Sequence, residues 1–397
     1  MKKINILAIA LIALTAFPSE SHAKKKTEVK NVIYLIADGM GFGAVTSLLY
    51  TMDSETGFEQ GAVIGLSETS SANNHTTDSP AGGTVLATGV RTKNGYIGLD
   101  TEGRQLTSIL SKAQKKGMKT GIVVNTVLTE ATPASFYAGV TSRRHKFEIA
   151  EQFTESGVDV AIGAGLEHFT QRPDSLDLTA TLIEKGYDVY LSWDAVLKTE
   201  SDKFVGILPI GDVHRKDTNA DNKAGAAEGQ EVCLAAQLAA AEDVGETTDL
   251  SEPTVYLEKA TAKALDVLSR NNKSGYFLMI ESAIIDGYCH NNDTEGLITE
   301  MKEFDRTLRQ LIAYVNEHPG TLLVVTTDHE TGGIGVDYNK HEVGTSAPVK
   351  LKYSTKGHTG TVVPVFAYGT GAENFGGVMK NSDIPKKIEE LIFDPQL

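Results

Sequence analysis

Seven apolar, β-branched runs pace this 397-residue chain, and three of them end in an acid. They are VIYLIAD (32–38), TGIVVN (120–125), VDVAIG (158–163), FVGIL (204–208), YFLMIE (276–281), TLLVVTTD (321–328) and VPVFAYG (363–369). A strand covered on one face alternates apolar and polar residues. A continuous apolar run belongs to a strand buried on both faces, as in a mainly parallel sheet with helices above and below. Helical patterns fill the gaps: residues 105–116, ending before Gly117, and the longer stretches 253–270 and 295–317. The expected fold is therefore α/β, a three-layer α/β/α sandwich around a large, mainly parallel central sheet. Ligands of such sheets bind outside the carboxyl ends of the strands. Asp38, Glu281 and Asp328 close three of the runs. One acid in that position marks only where a strand meets water. Three delivered to one edge form a candidate metal or catalytic cluster.

Six short motifs carry chemistry beyond this pattern, and each also has an ordinary reading as a capped helix, a surface ion pair or a solvated histidine. Asp38 lies in IADGMG (36–41), whose glycines permit a tight turn and close ligand approach. In TTDSPAGGT (76–84), Ser79 before Pro80 is expected to cap a helix with proline at its first position. That geometry aims backbone N–H groups at an anion. Gly82 and Gly83 in the first turn cost about 1 kcal/mol each relative to alanine, which close packing or ligand approach would explain. No histidine adjoins Ser79 in a GxSxG setting, so a nucleophilic serine here calls for activation by a metal. In EATPASFYAGVTSRR (130–144), Arg143 offers a planar fork suited to two phosphate oxygens, with Arg144 pointing elsewhere. ESAIIDGYCH (281–290) spaces Asp286 and His290 four apart, one face of a helical turn able to chelate one ion. TTDHETGG (326–333) sets Asp328 beside His329 at a strand end, and KGHTG (356–360) places His358 between glycines. The candidate ligands are thus Asp38, Glu281, Asp286, His290, Asp328, His329 and His358, with Thr132 as a neutral oxygen. Three histidines with carboxylates suit zinc, and a carboxylate-and-hydroxyl subset suits magnesium. A serine and an arginine beside several metals suit phosphoryl transfer.

Bulk properties narrow the class. Residues 1–23 read as a secretory signal: Lys2 and Lys3, an apolar run over 4–17, then Ser21-His22-Ala23. The run is shorter than the roughly 20 residues of a membrane span. The expectation is an exported protein, periplasmic or secreted, with no stable membrane insertion and one catalytic domain over 24–397. The net charge of −15 makes nucleic acid a poor partner and repels anionic substrates at long range, so local cations must reverse the field at an anion site. Cys233 and Cys289 make no disulfide framework. Cys289, between two candidate ligands, is expected in the core. Residues 211–229, 241–253 and 337–357 read as surface excursions.

In order and spacing, the six motifs from residue 31 to about 370 resemble those of the alkaline phosphatases, and DSPAGGT resembles that family's nucleophile signature. The resemblance implies a phosphomonoesterase with two zinc ions and one magnesium ion, acting on small phosphate monoesters. It implies Ser79 as nucleophile and Arg143 as the clamp on the phosphoryl group. Asp286, His290 and His358 would hold the first zinc, and Asp38, Asp328 and His329 the second. Asp38, Thr132 and Glu281 would hold magnesium. A homodimer is left open, because the stretch between His329 and His358 is short where many relatives carry an excursion. Glu130 stands where relatives have Asp or His. The nearest alternative is a phosphodiesterase or another hydrolase of the same metal-dependent superfamily, but Arg143 favours a dianionic monoester. A binding protein without turnover would have no need of both Ser79 and Arg143. Gly287 stands where many relatives carry Lys or His, so Gly287→Lys is expected to tighten inhibition by inorganic phosphate. An inhibition constant no lower than wild type would refute that.

Overall fold

The structure is a computed structural model and describes residues 28–210, 213, 256–337 and 348–393. The segment 1–23, the excursions 211–229 (apart from Val213) and 241–253, and Cys233 lie outside the described residues. The strands in chain order are β1 (Asn31–Ala37), β2 (Val63–Glu68), β3 (Lys119–Val127), β4 (Val160–Ala164), β5 (Asp188–Tyr190), β6 (Phe204–Leu208), β7 (Tyr276–Ser282), β8 (Thr321–Thr326), β9 (Glu330–Thr331), β10 (Ile334–Val336), β11 (Leu351–Tyr353), β12 (His358–Thr359), β13 (Val363–Gly369) and β14 (Gly377–Lys380). Ten of them build one sheet in the order β14-β2-β13-β8-β1-β7-β3-β4-β6-β5. All run in one direction except β13, which is antiparallel to both of its neighbours.

The central strands are covered on both faces. Val32, Tyr34 and Ile36 of β1 enter one apolar core, with Phe277 and Met279 of β7. Ile33, Leu35 and Ala37 enter the other, with Leu278 and Ile280. The first core is closed by the helices Ser79–Thr88, Ile109–Lys115 and Asp383–Phe393. The second is closed by Tyr256–Ser269 and Thr294–Glu317. In the latter, Leu297, Met301, Phe304, Leu308, Leu311 and Val315 form the buried stripe, and Asp293 caps its start by accepting from the Gly296 N–H at 3.0 Å. This is the expected three-layer sandwich.

Differences from the sequence reading fall at edges and ends. The helix expected from residue 105 begins at Ile109, because Gln105 bridges Leu99 and Ser108 takes the Ser111 N–H. It stops where expected, at Gly117, whose φ of +76° a glycine adopts without strain. The sequence pattern does not reveal β2, β5 and β14. These lie toward the rims of the sheet and are exposed at several positions, so they lack continuous apolar runs. Of the expected excursion 337–357, residues 338–347 lie outside the described residues, and the described part carries a short strand, β11, paired with β10. No helix among the described residues is long and apolar enough to cross a membrane.

Leu278 is fully buried on a central strand. Leu278→Ala is expected to cost about 2–5 kcal/mol of stability, read from urea unfolding.

Candidate active site

Strands β8, β1, β7 and β3 are neighbours and end at the same edge. Asp38 follows β1, and its N–H donates to the Ser282 carbonyl at 3.0 Å. Glu281 ends the apolar part of β7, Asp328 follows β8, and Glu130 and Thr132 follow β3. Glycines let these segments touch. Gly39 has φ +74°, and a Cβ there would lie 2.7 Å from Asp286 Oδ1. A Cβ on Gly82 would lie 2.8 Å from Asp328 Cβ, and one on Gly83 2.9 Å from Thr132 Cα. Close packing therefore accounts for both glycines in the first turn of Ser79–Thr88.

That helix begins one residue earlier than the sequence reading has it. Asp78, not Ser79, is the cap: its Oδ1 accepts from the Ala81 N–H at 3.0 Å and its Oδ2 from Gly95 N–H at 2.6 Å. Asp and Ser are equally good caps, so the sequence alone could not choose between them. The tertiary bond to Gly95 decides it. The consequence is chemical. Ser79 Oγ is released from capping, is almost fully buried, and lies 3.4 Å from His329 Nε2.

The structure brings the expected residues together in two groups that could each hold a metal ion: Asp286, His290 and His358, and Asp38, Asp328 and His329. His358 arrives through the pairing of β12 with β9, opposite Thr331. His290 Nε2 is 3.2 Å from Asp286 Oδ2 and 3.0 Å from His358 Nε2. His329 Nε2 is 3.2 Å from Asp328 Oδ2 and 3.6 Å from Asp38 Oδ1. The other ring nitrogens fix the tautomers. A carbonyl can only accept, so His290 Nδ1–H donates to Lys356 O and His358 Nδ1–H donates to Thr77 O at 3.0 Å. The Thr331 hydroxyl donates to Asp286 Oδ1 at 2.5 Å, so it accepts from His329 Nδ1–H at 3.2 Å. All three Nε2 atoms therefore turn lone pairs into the cluster, as metal-binding imidazoles do. Lone pairs and carboxylates facing one another at these distances fit a cation between them.

A third set lies beside these. Both oxygens of Glu281 and the Thr132 hydroxyl are buried without a hydrogen-bond partner, as are Asp38 Oδ1 and Asp328 Oδ2. Unpaired buried polar atoms are costly, and five of them in adjacent positions are explained together by bound cations. Charge tells the same story. Burial pushes Glu281 up to about 8, aided by Glu130. It pushes Asp328 up to about 6, aided by Asp286, and lifts Asp38 well above the usual carboxylate range. Burial and the neighbouring His358 hold His329 well below the usual imidazole value.

Arg143 is half-buried, bonds through Nη2 to Glu130 Oε1, and its charge lowers Asp38 and Glu281. Arg144 is exposed, as expected. Cys289 is fully buried among apolar side chains, in the core. Supporting residues escape the sequence reading. They include Thr331, Lys146 on Glu130, and a buried set in which Asn125 binds both Ala283 N–H (2.8 Å) and Glu300 Oε1 (3.0 Å). Thr331 lies within TTDHETGG and Asn125 ends the run TGIVVN, but neither segment marks those side chains, and only three-dimensional proximity reveals their partners.

The family model for alkaline phosphatase matches residues 29–352. The chain belongs to the alkaline phosphatase family. It is similar to alkaline phosphatase 4 of Bacillus subtilis, at 27% identity over 98% of this chain and 96% of that protein. Among solved structures it resembles the alkaline phosphatase of the Antarctic bacterium TAB5. That match has a TM-score of 0.77 and 32% identity over 93% of this chain and 99% of that one. A cold-active alkaline phosphatase from a psychrophilic Shewanella species follows at TM-score 0.75 and 26% identity, covering 91% and 99%. This alkaline phosphatase is thus a metal-dependent phosphomonoester hydrolase.

The raised acids make the metal-free protein pH-sensitive. Folded Glu281 keeps a proton to about 8 that the unfolded chain releases near 4.5. Its contribution to stability is complete below about 4.5 and is lost as pH rises through about 8. Melting temperatures of chelator-treated protein should fall across that window and recover on adding metals, and metal uptake near neutral pH should release protons in calorimetry.

Proposed function

We propose that this chain hydrolyses phosphate monoesters to alcohol and inorganic phosphate through a phosphoserine on Ser79, with two zinc ions and one magnesium ion. The observation that carries the reading is a buried serine at a helix start, freed from capping by Asp78, within 3.4 Å of His329 and beside both ligand groups. The residues fit the metals. Asp286, His290 and His358 would hold one zinc, and Asp38, Asp328 and His329 the other. Asp38, Thr132 and Glu281 would hold magnesium. A variant of the TAB5 enzyme has Mg bound in a site designated M3, which supports magnesium as one of the family's ions. When bound, the metals supply Lewis-acid stabilisation of negative charge on oxygen and phosphorus.

The chain's own residues do the rest. Ser79 Oγ forms a bond to phosphorus as the bond to the leaving alcohol breaks on the opposite side, and the serine proton ends on that alcohol. Water then attacks the phosphoserine, restoring the Ser79 hydroxyl and releasing phosphate. The Arg143 guanidinium stabilises the phosphoryl oxygens, beside the metal ions that the ligand groups would hold. The acidic surface needs these fixed cations to admit an anion. Substrates are small phosphate monoesters. We also read residues 1–23 as a cleaved export signal and 24–397 as one catalytic domain, with a periplasmic or secreted destination. A mature protein that begins at Lys24 after expression in a bacterial envelope supports this, and retention of Met1 refutes it.

Two measurements test the central reading. Aryl monoester turnover should greatly exceed that of the matching diester, vanish on chelation and return with zinc plus magnesium. Preferred diester turnover would overturn it. Ser79→Ala should lower kcat by at least about a thousandfold and abolish trapping of labelled phosphoenzyme. Label that persists in this variant would refute the nucleophile.

A further inference from the structure

Glu130 is a buried carboxylate between two cations. Its Oε1 accepts from Arg143 Nη2, and the Ala131 N–H approaches the same oxygen at 3.3 Å. Its Oε2 accepts from Lys146 Nζ at 2.9 Å, and Lys146 Nζ donates also to the Thr129 carbonyl at 3.1 Å. Arg143 and Lys146 are three residues apart on one strap, Lys146 opening the helix Lys146–Phe153. Glu130 caps the short helix Ala131–Ala134, which carries Thr132. The Glu130 and Lys146 side chains are largely shielded from water, at 6% and 16% exposure, so this contact is not a surface pair screened to insignificance.

Guanidinium and carboxylate prefer a planar fork in which both oxygens each take an N–H. Here the second oxygen is occupied by an ammonium. We propose that Lys146 is a positioning residue for the phosphate clamp: by holding Glu130 Oε2, it prevents Glu130 from drawing Arg143 into the two-bond fork and so sets the direction of the guanidinium plane. Without the ammonium, Glu130 would take two N–H bonds from the Arg143 fork and turn it away from the phosphoryl group. The inference rests on the reading of Arg143 as the clamp.

The test is inhibition by inorganic phosphate, with KM and kcat for an aryl monoester, on the metal-loaded enzyme. Lys146→Met is expected to raise the inhibition constant and KM by about tenfold or more, and to change kcat less. Adding Lys146→Met to Glu130→Gln should change nothing further, since a neutral side chain no longer competes for Arg143. Arg143→Ala reports on the clamp itself. If Arg143→Ala weakens phosphate and Lys146→Met does not, the clamp stands and the role of Lys146 falls. If Arg143→Ala leaves phosphate inhibition unchanged, the clamp and this inference fall together. Should Lys146→Met alone fail to fold, Glu130→Gln and the double variant still decide. A double variant weaker than Glu130→Gln by tenfold or so would show that Lys146 acts independently of Glu130, and would overturn the proposal.

Discussion

Repulsion is the central fact of this molecule. Three imidazole lone pairs and the carboxylates of Asp38, Glu281, Asp286 and Asp328 converge on one sheet edge, with both oxygens of Glu281 and one each of Asp38 and Asp328 buried and without hydrogen-bond partners. Left to themselves these groups would separate or take up protons, and the elevated Glu281 and Asp328 show the second tendency. The fold must therefore spend stability elsewhere to hold them in place. The four central parallel strands do this: each is buried on both faces, and each is pinned by neighbours in register. The acids are extensions of the most rigid part of the structure.

Rigidity alone would not bring the segments within coordinating distance. The turns after the strands do so by omitting side chains. Gly39 lets the Asp38 turn press on Asp286, and Gly82 and Gly83 let the helix that begins at Ser79 press on Asp328 and on Thr132. Ser79 thereby reaches the cluster from the opposite core layer, while Asp78 takes over the capping that a serine in that place would otherwise perform. The active site is the meeting of two layers across the end of the sheet.

This organisation was legible in the sequence where burial is complete and illegible where it is partial. The doubly covered strands announce themselves as unbroken apolar runs, and their terminal acids follow directly. The rim strands β2, β5 and β14 carry solvent-facing residues that interrupt the pattern. The reversed direction of β13 leaves no mark in its composition, because VPVFAYG is almost as fully buried as β8 beside it. At the site, motif spacing pointed to every proposed ligand. It could not rank Asp78 against Ser79 as a cap, nor find Lys146, Thr331 or Asn125, because their partners lie far along the chain or depend on side-chain direction.

The tautomer locks differ in kind. His290 and His358 are oriented by the main-chain oxygens of Lys356 and Thr77, which every amino acid supplies. Positions 356 and 77 can therefore drift in identity without disturbing either imidazole, provided the chain keeps its path. His329, the histidine that faces the serine, is oriented by the hydroxyl of Thr331, a group that one substitution removes. The information that aims this enzyme's imidazoles is thus stored partly in backbone shape, which mutation reaches only indirectly, and partly in a single oxygen atom. Heredity guards the three imidazoles unequally, and the one nearest Ser79 is the most exposed to change.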